Sequence, residues 1–322
     1  MTDQRPVRTV YCVLGVRSLG YAVPCLASLI RNSVDPLALT ILTDSADDAT
    51  TMRARLEPLF VDGRHRLTVH DQAHADALAA DSYAAFPAVA EFRHGHPCWR
   101  KVTDPALYAA SGEEVIIIDP DVYFPNRFAF EPTPATGLLL MWQRPNCLLP
   151  EPLVTEAYDR GVPMADHTDI GVCQFRAPLD LAALEALLTT IDTRPFARSM
   201  HVESIVWAAL AEQVGGGYLD PEAWHCFANS VPSRLARRMG RSGSATLAQI
   251  DFAPVKAFHA GGTAKNWLAD AEQDGLFADP RTHIDPTPVT PFVPYPRGKF
   301  ENKLRTRSVA RRLGLYKVLG GG

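Results

Sequence analysis

The chain reads as an α/β protein with a mostly parallel sheet flanked by helices, and three observations predict it. Short runs of β-branched and apolar residues alternate with helically spaced apolar residues through the first part of its 322 residues. Carboxylates stand where such runs end, at Asp44, Asp119 and Asp121, and sheets of this kind bind ligands at the carboxyl ends of their strands. The composition, 47% hydrophobic and 21% charged, is that of an ordinary globular protein whose core can stand without disulfides.

Residues 9–14 form the first buried strand, and 15–20 the loop that leaves it. A helix over 21–31 follows, with Leu26, Leu29 and Ile30 on one face. Residues 37–42 make a second strand that ends at Thr43-Asp44. Asp47 or Asp48 caps the next helix, which carries Met52, Leu56 and Leu59. This alternation is Rossmann-like, and it closes with the strand Val115-Ile116-Ile117-Ile118. After Tyr123 prolines at 125, 132, 134 and 145 interrupt the pattern. Strands are expected at 137–143 and 170–175, and a helix on the stripe Leu181, Leu184, Leu187, Leu188 and Ile191. A second helix spans 202–214 and stops at Gly215-Gly216-Gly217. Residues 279–296 are proline-rich and wrap the surface. The domain organisation expected is one catalytic domain over 1–296, with a nucleotide-binding half at 1–124 and an acceptor half at 125–278. A basic tail at 297–322 completes it. That tail holds Arg297, Lys299, Lys303, Arg305, Arg307, Arg311, Arg312 and Lys317 against Glu301, with apolar residues between.

The formal net charge of −4 argues against a nucleic-acid partner. The six cysteines are scattered without a CxxC pair, so neither a zinc site nor a disulfide framework is expected, and the cytoplasm is the default compartment. No signal peptide is expected at the N-terminus, and no run reaches the roughly 18 apolar residues of a membrane span.

Two stretches carry the chemistry. Asp119-Pro120-Asp121 ends the isoleucine strand; residues i and i+2 of a strand share a side, so both carboxylates can meet one ion. Pro120, with no N–H, suits a strand terminus, and the same triplet also suits an ordinary turn. The second stretch, His259 to Trp267, offers an imidazole, Gly261-Gly262 where backbone can approach phosphate, and Lys265 as a cation. Oxygen ligands suit magnesium, calcium or manganese, and an added imidazole shifts the preference to manganese, with magnesium second.

His259, Gly262, Lys265 and Trp267 fit the HxxGxxKxW pattern of glycosyltransferase family 8, the retaining enzymes that include glycogenin and the lipopolysaccharide galactosyltransferases. Asp119-Pro120-Asp121 resembles that family's DxD motif. The segment from Lys101 to Pro105 is similar to its Arg-x-x-x-Pro helix, with lysine for arginine. The resemblance spans about residues 8–268. It implies a GT-A fold, a UDP-sugar donor, manganese held by Asp119, Asp121 and His259, and a diphosphate held by Lys265. Asp44, at a strand end, and Lys101, Asp119 and Gly262 are also expected on the nucleotide side. It departs at Leu14-Gly15-Val16-Arg17, which lacks the acidic residue usual after the first strand. The family's Asn-x-Gly-Val is here Asp169-Ile170-Gly171-Val172, and its Asp-Gln-Asp is His201-Val202-Glu203-Ser204. Asp169 and Glu203 are thus the candidates, beside Lys265, for the catalytic set. Glu203 also stands where negative charge favours a helix N-terminus.

The expectation is a metal-dependent, retaining hexosyltransferase that uses a nucleoside-diphosphate sugar and a glycan, lipid-linked saccharide or protein hydroxyl as acceptor. The alternatives are a non-catalytic relative that binds nucleotide sugar or glycan, and a nucleotidyltransferase, for which Gly15 to Gly20 imitates the required loop poorly. The tail suggests peripheral contact with an anionic membrane on its inner face.

Overall fold

A computed structural model describes residues 5–144 and 146–312. Thirteen strands are present among these: β1 Arg8–Val13, β2 Leu37–Leu42, β3 Arg66–His70, β4 Glu114–Ile118, β5 Val122–Tyr123, β6 Arg127–Phe128, β7 Leu138–Trp142, β8 Thr168–Arg176, β9 Gly216–Tyr218, β10 Trp224–Cys226, β11 Ala257–His259, β12 Thr282–His283 and β13 Thr290–Pro291. Eight of them form one sheet in the order β13-β9-β7-β8-β4-β1-β2-β3. The run β4-β1-β2-β3 is parallel, as expected, and β8 enters antiparallel between β4 and β7.

The β-branched run at Val115 to Ile118 is continuous, not alternating, because this sheet is covered on both faces. Successive residues go to opposite sides. Val115 and Ile117 join one core cluster with Leu138, Leu140, Cys173 and Phe175. Ile116 and Ile118 join another with Val10, Cys12, Leu139 and Met141. The helix Val202–Val214 lies in the first cluster and is apolar nearly all round, the mark of a buried helix. Gly215 ends it at φ 75°, a left-handed conformation that favours glycine.

Several expectations are corrected. The first helix runs Leu19–Asn32, wider than 21–31. Ser45, not Asp47 or Asp48, caps the next helix by accepting from the Asp48 N–H; a serine hydroxyl reaches that donor as well as a carboxylate does. β8 starts at Thr168, so Asp169 lies within the strand. β3 was not anticipated, since Arg66-Leu67-Thr68-Val69-His70 alternates weakly at the sheet edge.

A second sheet, β10-β11-β5, stands beside the first. β4 and β5 belong to different sheets, so Asp119-Pro120-Asp121 is the turn between the two. The segment 279–296 adds β12 and β13 to existing strands, and its end is tied in by a bridge between Ala165 and Pro294 and by buried Tyr295. The basic stretch forms a helix, Arg297–Arg312, docked through buried Phe300 against Tyr158 and Tyr295. Lys299 pairs with Asp166, and Arg307 meets Glu151 at 2.8 Å. Leu313, Leu315, Tyr316 and Lys317 lie outside the described residues, as does the proline at 145. No helix of the described residues is long and apolar enough to cross a membrane.

Candidate active site

The two aspartates converge through the turn and not through strand alternation. The Asp119 N–H donates to Gly171 O (2.8 Å) at the end of the large sheet. The Val122 N–H donates to Asp119 O (3.1 Å) and closes the turn, and the Ala260 N–H donates to Asp121 O (3.0 Å) in the small one. β11 pairs antiparallel with β5, and this sets His259 opposite Val122. His259 Nε2 then lies 3.3 Å from Asp121 Oδ1 and 3.8 Å from Asp119 Oδ2.

Behind the imidazole, His259 Nδ1–H donates to Asp169 Oδ1 (2.7 Å). A carboxylate only accepts, so this bond fixes the nitrogen that carries the proton and aims Nε2 at the aspartate pair. Asp169 reaches His259 because β8 breaks register: Leu140 faces Cys173, but Met141 faces Asp169, and residues 170–172 have no counterpart on β7. Gly171 sits in that irregularity. A Cβ there would lie 2.7 Å from the His259 ring and 2.9 Å from Asp169 Oδ1. Cys226 Sγ donates to Asp169 Oδ2 (3.4 Å), and the Gly171 N–H donates to Oδ1 (2.9 Å).

Lys101, buried in the short helix Arg100–Thr103, donates to Asp119 Oδ1 (2.7 Å) and meets Glu203 Oε1 at 2.8 Å. The other Glu203 oxygen is buried with no hydrogen-bond partner among the described residues. Lys265 donates to Asp121 Oδ2 (3.2 Å) and stands 4.5 Å from the centroid of the Tyr21 ring. Asp44 follows β2 and pairs with Arg100.

The electrostatics follow from this packing. Burial would keep His259 neutral, but Asp169 and then Asp121 outweigh it and hold its pKa well above the ordinary value. Lys101 is pushed up against its own burial by Asp119 and Glu203. Glu203 is raised, chiefly by burial. Asp121 is lowered despite burial, because His259 and Lys265 face it.

The donor set fits a divalent cation. Ligand-capable atoms of Asp119, Asp121 and His259 lie within 4.8 Å of one another.

A cavity of about 800 Å³ opens beside this cluster, a size suited to a nucleotide-sized ligand. Asp44, Lys101, Asp119, Asp121, Glu203 and Lys265 line it together. His259 and Asp169 stand behind that wall, and Gly262, at φ 66°, lies in the loop leading to Lys265 without lining the cavity. Sequence reading placed Gly171 in the Asn-x-Gly-Val counterpart and missed Tyr21, Arg100 and Cys226. Arg100 adjoins Lys101 and was open to notice; the other two have no motif of their own.

No protein-family profile matches the chain, and no curated protein does. Among solved structures it is similar to mouse xyloside xylosyltransferase 1, apo form, at 12% identity and TM-score 0.48, covering 80% of this chain and 99% of that one. It is also similar to the galactosyltransferase LgtC in complex with donor and acceptor sugar analogs, at 15% identity and TM-score 0.43, covering 84% and 95%. Core-mannan synthase A from Aspergillus fumigatus, Mn/GDP form, aligns at 10% identity and TM-score 0.35, covering 67% and 75%.

Proposed function

We propose that the protein is a metal-dependent glycosyltransferase that moves a hexosyl group from a nucleoside-diphosphate sugar, UDP-linked, to a hydroxyl acceptor. The observation that carries this is the convergence of Asp119, Asp121 and His259 Nε2 at the wall of a nucleotide-sized cavity, with Lys265 held against the same Asp121. Asp119, Asp121 and His259 would hold manganese, or magnesium in its place. When bound, such an ion supplies Lewis acidity toward the diphosphate.

The rest is performed by side chains. Lys265, oriented by Asp121 and Tyr21, presents a preorganised cation to the leaving diphosphate. The bond from the anomeric carbon to the phosphate oxygen breaks, and a bond to the acceptor oxygen forms on the same face. The acceptor proton passes to the departing diphosphate, so no protein nucleophile is required. Glu203, which lines the cavity and has one oxygen without a partner among the described residues, would accept a hydrogen bond from a sugar hydroxyl, with Lys101 holding it in place. Asp169 works through His259: its oxygens are taken by His259, Gly171 and Cys226, which makes it a positioning residue.

Thermal unfolding with manganese and a panel of nucleotide sugars tests the reading. One donor is expected to raise the melting temperature only with metal present, and to be hydrolysed slowly. If no nucleotide stabilises the protein, the transferase assignment fails.

Lys265→Ala is expected to lower turnover by about two to three powers of ten, the effect of losing one preorganised charge contact. Normal turnover in that variant would place Lys265 outside the site. Asp169→Asn keeps an acceptor for His259 Nδ1–H but drops the charge, and should weaken manganese binding by about 10–100-fold. Gly171→Ala should weaken it as well, by forcing the His259 ring aside. Electron paramagnetic resonance of free manganese reads both; unchanged affinity would remove Asp169 from any role in placing the imidazole.

A further inference from the structure

The segment that follows Cys226 links the metal cluster to a group of arginines that the site described above does not use. The Phe227 N–H donates to His259 O (3.0 Å), and the Phe227 ring meets Trp267 edge-on at 5.8 Å. Trp267 lies flat against Gly243, where a Cβ would come within 2.1 Å of the indole. On the ring sits Arg237, its guanidinium 4.7 Å from the centroid. Arg237 belongs to the helix Val231–Arg238, which also carries Arg234 and Arg238, with Arg241 soon after. Arg237 Nη2 donates to Asn229 Oδ1 (2.9 Å), on the loop between Phe227 and the helix.

Two arginine donors on this helix, three residues apart and so on one face, are left over. Arg234 Nε and Arg237 Nη1 are buried and have no hydrogen-bond partner among the described residues. A buried N–H of a charged group without an acceptor is costly, by more than the roughly 1–3 kcal/mol of a neutral one. A phosphate offers several acceptor oxygens and can take one charge-assisted bond from each of the two guanidiniums, of which Arg237 is braced on an aromatic face.

We propose that Arg234 and Arg237 bind a phosphate group carried by the acceptor, and that the loop 227–230 ties this anion site to the metal cluster. The acceptor is then a phosphorylated molecule, either a soluble phosphate ester or a lipid bearing the phosphate. Its role as acceptor rests on the transferase reading, but the binding itself requires neither donor nor metal.

The test therefore uses the full chain in chelator, without nucleotide. Calorimetric titrations with sn-glycerol 3-phosphate and with monomeric short-chain phosphatidylglycerol separate the two sources. Saturable binding of either is expected, weakened at least tenfold in Arg234→Gln/Arg237→Gln. Arg237→Lys, which keeps the charge and loses the planar fork, should fall between. Binding of the lipid but not the free ester assigns a lipid-borne phosphate; binding of both assigns the phosphate alone. Absence of binding to either overturns the proposal. So does binding that survives the double substitution in a variant with unchanged thermal unfolding, or binding that is lost in Lys265→Ala instead.

Discussion

Asp121→Ala is expected to abolish transfer and metal-dependent nucleotide binding while leaving the fold largely intact. In the proposed leaving-group site one carboxylate would serve both halves: Oδ1 faces His259 Nε2 at 3.3 Å, and Oδ2 accepts from Lys265 at 3.2 Å. Removing it would delete a proposed metal ligand and release the lysine assigned to the diphosphate, so turnover should fall by at least about three powers of ten. The fold survives because the turn is held by backbone bonds, including that from Ala260 N–H to Asp121 O, and these do not involve the carboxylate. Asp121→Asn separates the two roles. It keeps a hydrogen-bond acceptor for Lys265 and loses the charge the ion requires. Manganese titration by paramagnetic resonance, with calorimetry of nucleotide binding, measures both. Full activity in chelator, or undiminished nucleotide affinity in Asp121→Ala, would sink the metal assignment.

Lys256→Ala is expected to destabilise the protein by about 3–5 kcal/mol, the cost of leaving a buried carboxylate without its cation. Lys256 and Glu131 are each 1% exposed and meet at 2.8 Å. Glu131 also accepts from Trp224 Nε1 (3.0 Å), Thr287 Oγ1 (2.8 Å) and Thr287 N–H (2.8 Å). Lys256 donates to Asp285 O (2.7 Å) as well. The network thus pins the segment 285–287 to the starts of β10 and β11, the strands that carry Cys226 and His259. Urea unfolding reads the loss as a lower midpoint at unchanged slope. Replacing both partners, Lys256→Met with Glu131→Gln, should recover part of it, because no unpaired charge is then buried. A single-variant loss below 1 kcal/mol would mean that Glu131 finds another cation.

The sequence by itself determined the features that are local. The isoleucine run at 116–118 announces a strand buried on both faces, and the apolar helix 202–214 with its terminal glycines needs no tertiary partner to be read. Carboxylates at strand ends and a histidine, glycine and lysine within one short stretch mark the chemistry, since each depends on spacing along a few residues. Tertiary structure decided which of these groups meet. That Asp119 and Asp121 converge follows from a turn between two sheets, and alternation along one strand gave the right meeting for the wrong reason. Asp169 reaches His259 only because β8 slips register at Gly171, and Cys226 reaches Asp169 only because β10 lies beside β11. Lys101 stands between Asp119 and Glu203, and Arg237 on Trp267, through contacts between segments far apart in the chain. Periodicity reports which face of an element is buried, whereas partner choice depends on strand order and register, which are properties of the closed sheet.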